Sequence, residues 1–264
     1  MEWAANEGWN PGLDDGDPFH GADPGGFIGG WRDERLIACI SAIRYGADFG
    51  FIGFYMCRPE FRGQGYGLRV WQAGMAHLSG RTIGLDGVID QQENYRKSGF
   101  ELAHRNVRYG GSVDCAPPTD ARLRRIDASV IDAVSGYDAP FFPASRQAFL
   151  RPWLTPTATR SGFALIDGGD LAGYGIIRQC REGYQIGPLF AETPADADLL
   201  FRALASQAND GPVYLDPPEP NGAATAPAER YAMTPVFETA RMYKGAAPEL
   251  PLARIFGITT FELG

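Results

Sequence analysis

The 264-residue sequence is short of several things, and each shortage excludes a class of protein. No stretch approaches the roughly 18–20 consecutive apolar residues of a membrane span. The opening Met1-Glu2-Trp3-Ala4-Ala5-Asn6-Glu7 has no basic segment leading into an apolar one, so no signal peptide is expected. Cysteine occurs four times, at 39, 57, 115 and 180, and histidine three times, at 20, 77 and 104. None of these forms a CxxC pair or stands at metal-ligand spacing. No metal site is expected, and reduced thiols point to a cytoplasmic protein. Lys and Arg number 24 against 32 Asp and Glu, a net charge of −8, and no Lys/Arg run exists. A nucleic-acid binder would carry a basic stripe, so neither nucleic acid nor a membrane is an expected partner. An acidic protein draws cationic small molecules through its overall field. Gly and Pro number 34 and 20, about a fifth of the chain. That predicts many turns, yet lies below the roughly 25–30% of low-complexity sequence.

What remains is a globular chain long enough for two small domains. From Gly26 the apolar stretches Phe27–Trp31, Leu36–Ile43 and Phe49–Cys57 predict three strands, the third apolar throughout and therefore central. A helix is predicted from Leu68, whose apolar positions 68, 71, 75 and 78 follow helical spacing. A strand over 82–88, a helix over 90–98 capped by Gly99, and a strand over 100–109 complete the first half. Gly110-Gly111 and Ala116-Pro117-Pro118 mark the boundary, giving domains 1–110 and 111–264. The second half repeats this succession, a weak duplication of about 130 residues. Within it Arg122, Arg124 and Arg125 are expected on a helix over about 120–134, and 258–263 as a strand. Gly187-Pro188-Leu189-Phe190 is expected where the first half has a Gly-rich turn.

That turn, Arg62-Gly63-Gln64-Gly65-Tyr66-Gly67, lies between a buried strand and a helix. Glycines let backbone N–H groups converge without Cβ obstruction, and the helix adds free N–H groups and its positive dipole end. The combination suits a pyrophosphate. A P-loop would end in Gly-Lys-Ser/Thr, which Gly67-Leu68-Arg69 lacks. A dinucleotide fingerprint needs a third glycine where Leu68 or Val70 stands. A purely structural turn and an acyl-coenzyme A site are the readings left.

The segment Cys57-Arg58-Pro59-Glu60-Phe61-Arg62-Gly63-Gln64-Gly65-Tyr66-Gly67-Leu68 resembles the signature of the GNAT acyltransferase superfamily. Arg62, Gly65 and Gly67 stand at its defining positions. Tyr95-Arg96-Lys97-Ser98-Gly99-Phe100 resembles the Tyr-x-x-x-Gly-Phe element of the same family. The likeness is good over 26–110. Residues 111–264 resemble the degenerate second unit of tandem GNAT proteins, without an Arg-x-x-Gly-x-Gly loop and so without coenzyme A. The resemblance implies an α/β (α+β) fold of two tandem units, each a mixed, mostly antiparallel sheet flanked by helices. Little room remains before Gly26 for the family's first strand, so either the true start lies upstream or the first unit lacks that strand. The implied function is acyl-coenzyme-A-dependent N-acyl transfer, by default from acetyl-CoA, to the amine of a small molecule by direct attack on the thioester. The alternative is a non-catalytic acyl-CoA-binding or regulatory module.

The resemblance also implies roles. Tyr55, Met56 and Cys57 would offer backbone groups to pantetheine, and Arg62, Gly63, Gln64, Gly65, Tyr66 and Gly67 would hold the pyrophosphate. Tyr95 would protonate the leaving sulfur. A carboxylate must relieve the amine of its proton, for which Asp86 is the first candidate and Asp48 the second. Trp9 and Asn10 from the first half, with Tyr137, Phe142 and Arg146 from the second, are expected on the acceptor side, where aromatics beside charges suit an amine with an apolar body. A monomer or homodimer is expected.

Overall fold

β-Branched and aromatic residues crowd Arg35–Tyr45 and Phe49–Cys57, and such residues suit a pleated, buried surface. In the computed structural model, which describes residues 1–264, these segments are neighbouring antiparallel strands, β2 and β3. Before them come α1 (Glu2–Asn6), α2 (Gly16–Ala22) and β1 (Phe27–Arg32). After them come α3 (Tyr66–His77), β4 (Thr82–Val88), α4 (Gln92–Lys97) and β5 (Glu101–Gly111). The second half opens on β6 (Leu123–Arg125), then repeats the order with α5 (Ile131–Asp138), α6 (Gln147–Leu154), β7 (Arg160–Asp167), β8 (Asp170–Gln179), β9 (Tyr184–Ala191), α7 (Pro194–Ala205), β10 (Val213–Leu215), α8 (Ala226–Arg230) and β11 (Thr234–Lys244). A short β12 (Ile255–Gly257) lies in the tail. No helix is long and apolar enough to cross a membrane.

The two expected sheets are joined into one, with strand order β1-β2-β3-β4-β11-β5-β10-β9-β8-β7-β6 and β12 on β9. The join is an exchange. β11 of the second half lies between β4 and β5 of the first, antiparallel to both, while β5 reaches on to β10. Interchanging the halves carries β4 to β10 and β5 to β11, so the centre has an approximate two-fold relation, with Asn106 and Thr239 facing each other in the register. One apolar core runs beneath both halves on the side of α2 and α6, where Phe19 stacks on Trp153 at 5.9 Å. On the opposite side α3 and α7 each cover a core of their own.

Three local expectations are corrected. Leu123–Arg125 is an edge strand on β7, not part of a helix. Charged side chains there suit an edge that must not recruit another strand. Gly187-Pro188-Leu189-Phe190 lies inside β9, and the counterpart of the Gly-rich turn is Glu192-Thr193, where the Thr193 hydroxyl accepts from the Asp196 N–H and caps α7. Residues 258–263 form no strand. They continue β12 as a buried tail that ends in a turn over 261–263, and every residue from 255 to 264 is buried. The tail enters where β9 and β10 part, with Ile258 N–H donating to the Asp216 carbonyl at 3.0 Å. It leaves beside β2, where the Tyr45 hydroxyl donates to the Leu263 carbonyl at 3.1 Å.

Candidate active site

Parallel pairing between β3 and β4 runs only from Phe49–Thr82 to Ile52–Leu85. Beyond Ile52 the strands part, so Gly53 to Cys57 have no partner on the β4 side. The same stretch carries a bulge. Cys39 pairs with Met56 and Ser41 with Gly53, leaving one extra residue on β3. Phe54, at the bulge, has φ +44°, a left-handed conformation uncommon for an aromatic residue and worth roughly 1–3 kcal/mol of strain. Tyr55, Met56 and Cys57 thus line one wall of an open wedge.

At the mouth of the wedge lies the loop 62–67. Gly63 and Gly65 have φ of +73° and +83° in open space, so glycine is required there by conformation. At Gly67 the reason is proximity, since a Cβ would lie 3.0 Å from the Tyr55 hydroxyl. The N–H groups of Gly63, Gln64, Gly65 and Tyr66 find no backbone acceptor, and Gly65 caps α3 without a side-chain bond. Arg62 is spent on structure, donating to the Cys57 carbonyl at 2.9 Å and to Glu7 at 2.5 Å. The Gln64 amide likewise donates to the Glu60 carbonyl. The cationic surface at the loop comes from elsewhere. Arg32 donates to the Tyr66 hydroxyl at 3.0 Å, Arg69 lies over the Tyr66 ring, and Arg35 lies over Phe61. Arg32 and Arg35 stand in one hairpin and Arg69 in α3, so no run of basic residues marks them in advance, and Arg35 is also paired with Glu60 at 2.7 Å.

Tyr95 projects from α4 into the opposite wall, 8% exposed. Its ring fills the space above Gly87, where a Cβ would come within 2.2 Å. Trp71 packs at a tilt against both Tyr95 and Tyr55, with ring centroids 5.5 and 5.3 Å apart. Burial, with the Tyr55 hydroxyl nearby, pushes the Tyr95 phenol up to about 12. At neutral pH it therefore keeps its proton and can donate it.

Asp86 does not have the surroundings of the expected base. Its side chain is 0% exposed. Its carboxylate accepts two bonds from Arg241, at 2.8 and 2.7 Å, and one from Asn106 at 2.8 Å. Burial raises this carboxyl against the pull of Arg241. The approximate two-fold supplies its counterpart: Asp216 accepts two bonds from Arg108, both 2.8 Å, and one from Gln185. The pair of ion pairs fastens the exchanged strands. Asp48, the second candidate, sits in the exposed β2–β3 turn at the far end of β3 from the wedge.

The expected acceptor residues scatter. Trp9 packs against Phe54 at 6.5 Å, and its carbonyl accepts from Arg108, so it does stand beside the wedge. Asn10 bridges to the backbone of Glu182 at 2.7 and 3.1 Å, tying the α1–α2 loop to the β8–β9 turn. Phe142 and Arg146 lie in the shared core, and Tyr137 packs against Phe141 at its margin. Arg146 is held by Asp138 at 2.9 and 2.7 Å and grips the tail through Thr259 and Gly264. The concave surface beside the wedge is instead a cleft of about 420 Å³ lined by Phe19, Phe27, Trp31, Cys39, Phe54 and Met56 among others. Trp31 is 66% exposed at its rim. Alternation of apolar residues in β1 is the sequence signal for this cleft, but the glycines in that strand blur it.

Residues 2–100 match the acetyltransferase (GNAT) family, and residues 134–257 match the acetyltransferase (GNAT) domain. The chain is 33% identical over 264 residues to a holothin acyltransferase of Pseudoalteromonas sp. (strain SANK 73390), spanning 100% of this chain and 90% of that protein. Its fold is similar to that of a putative acetyltransferase from Pyrococcus horikoshii, with a TM-score of 0.80 at 19% identity over 94% of this chain and 83% of that one. It is also similar to a tandem GNAT protein from the clavulanic acid biosynthesis pathway, with a TM-score of 0.55 at 14% identity over 83% and 82% of the two chains.

Proposed function

The chain belongs to the acetyltransferase (GNAT) family, and on that footing we propose that it transfers the acyl group of acyl-coenzyme A, by default acetyl, to the amine of a small molecule. The observation that carries this reading is the wedge that opens at Gly53, with the unsatisfied N–H groups of the 62–67 loop at its mouth. Pantetheine would lie along Tyr55 to Cys57 and the pyrophosphate on the loop and the start of α3. Arg32, Arg35 and Arg69 would meet the remaining phosphate charge.

The amine attacks the thioester carbon directly, so the protein needs no covalent intermediate. A backbone N–H of the bulged segment near Met56 would face the developing oxyanion. Tyr95 would give its proton to the departing sulfur. The apolar cleft between α2 and β1–β3 favours an acceptor with an apolar body, and a relative at 33% identity is named holothin acyltransferase. The second half would bind no coenzyme, because its own wedge between β9 and β10 is filled by residues 255–259.

Calorimetric titration with acetyl-CoA and with free coenzyme A tests this. One site per chain, followed by thiol release with added amines, is the expected result. No binding overturns the reading, two sites overturn the silent second half, and binding with no turnover of any amine gives the alternative of a binding module.

A further inference from the structure

The tail brings the backbone of Glu262 to the wedge from the far end of the sequence. Gly53 is the residue at which β3 parts from β4. A Cβ placed there would lie 2.0 Å from the Glu262 carbonyl oxygen and 3.0 Å from the Glu262 Cα. The Glu262 backbone therefore lies against the vertex of the wedge, and its neighbours Phe261 and Leu263 belong to the core on the side of α2. Glu262 is 6% exposed.

Three charged groups face it from three elements: Arg108 of β5, Arg178 of β8 and Asp15 before α2, with the Cys180 thiol beside them. Both guanidiniums are already engaged. Arg108 is held bidentate by Asp216, and Arg178 is paired with Asp15. Arg160 also stands beside Asp15, and Glu262 is the carboxylate of this group without an ion-pair partner. Its carboxylate accepts only from its own backbone N–H, whereas Asp86, Asp138, Asp216 and Asp15 are each held by an arginine. Arg108 also lies over Phe261 and donates to the carbonyl of Trp9, which packs on Phe54 at the bulge. Arg108 is thereby linked through Trp9 to the strand that would carry the thioester.

We propose that Glu262 is the base that takes the acceptor's proton, an inference that rests on the acyl-transfer reading. The amine nitrogen forms its bond to the thioester carbon while an N–H proton passes to the Glu262 carboxylate. The C–S bond of the resulting adduct then breaks, its electron pair leaves with sulfur, and the thiolate takes the Tyr95 phenol proton. Amide and thiol are the products, and the proton on Glu262 returns to Tyr95 through water. An alkyl amine of pKa about 10.4 is some 3 units from neutrality at pH 7; the attacking species is the neutral amine, its first proton released to solvent, and Glu262 takes the second proton, which becomes acidic as the C–N bond forms. Burial lifts the Glu262 carboxyl to about 7, within the range in which a general base works near neutral pH.

The test uses the full chain and its Glu262→Gln and Glu262→Asp variants. Thiol release from acetyl-CoA is followed from pH 5 to 9 with benzylamine and with water alone, beside calorimetric acetyl-CoA binding and thermal unfolding for each. Glu262→Gln is expected to fold and bind acetyl-CoA as the parent does, to lose about 10²- to 10⁴-fold in kcat/KM, and to lose the acid limb near pH 7. Glu262→Asp is expected to keep the limb and part of the rate. A Gln variant that keeps both rate and limb overturns the proposal. So does a parent that binds acetyl-CoA yet accelerates attack by neither benzylamine nor water, because a free base at the thioester would assist either. A parent that binds no acetyl-CoA overturns the acyl-transfer reading itself.

Discussion

Replacing Gly53 by alanine probes the contact on which both the tail and the wedge depend. The new Cβ would stand 2.0 Å from the Glu262 carbonyl oxygen and 2.8 Å from its carbon, so one backbone must retreat by more than an ångström. β3 cannot retreat easily, because it is paired to β2 on one side and to β4 just before this residue. The tail cannot either. It is held by Tyr45 at 3.1 Å and Arg146 at 3.2 Å, and by a bond from the Leu263 N–H to the Thr260 hydroxyl at 3.0 Å. Overpacking of this kind costs about 1–3 kcal/mol. For a chain of this size each kcal/mol moves Tm by roughly 2–4 °C, so a fall of about 2–12 °C is expected. Thermal unfolding measures it, and limited proteolysis with mass analysis shows whether residues 245–264 become cleavable. Gly136→Ala is the control. It lies in α5 with nothing within 4 Å of the new methyl, and should be neutral or stabilising by up to about 1 kcal/mol. A Gly53→Ala protein that melts with the parent and keeps its tail protected would refute the close contact.

Asp86→Asn should leave the Arg241 guanidinium buried without its counter-charge and cost about 3–5 kcal/mol, seen as a lower urea midpoint; an unchanged midpoint would mean the pair contributes no stability. Gly65→Ala forces an L-residue to φ +83°, a cost of about 1–2 kcal/mol that should weaken coenzyme A binding roughly 5- to 30-fold if the loop must hold this shape; unaltered affinity would move the phosphate site elsewhere. Tyr95→Phe should lower kcat by about 10²-fold with coenzyme affinity kept, and equal kcat would remove the phenol from the mechanism. Stability should also respond to pH. The Glu262 carboxyl, near 7 when folded and at its ordinary 4.5 when unfolded, makes the folded state hold the proton longer. Its contribution is therefore complete below about 4.5 and declines as pH rises through 7. Urea unfolding between pH 4.5 and 8 should show that slope in the parent and a flatter one in Glu262→Gln.

The parts of the site that are local in sequence were legible from the residues. A buried strand, a glycine turn and a helix follow one another without interruption from Phe49 to His77, and each is specified by its own composition. Tyr95 was legible for the same reason, lying in a short helix closed by Gly99. What escaped was set by partners far along the chain. Asp86 has the type and strand position of a catalytic base, and only Arg241, 155 residues away, makes it half of an ion pair. Arg146 reads as a binding residue until the tail is seen lying on it. Residues 258–263 have apolar positions suited to a strand, but strand pairing stops at Gly257 and the burial is taken up by an irregular segment that ends in a turn. The arginines around the loop are dispersed singly, so their convergence is a property of the folded hairpin and helix alone.

The exchanged strand bears on how the molecule is made. β4 and β5 leave the ribosome early, but the strand that belongs between them is β11, about 130 residues further on, or roughly 7–26 s at ordinary elongation rates. Throughout that interval the nascent first half carries two unpaired inner edges, the kind of surface that recruits foreign strands. The order of synthesis thus runs against the order of the sheet, and insertion of β11 is an act that only the nearly finished chain can perform. Neither half is expected to fold as a separate product of a divided gene, and co-expression of the two pieces would have to rebuild the centre by association. The first half therefore depends on the second for the strand at its own centre.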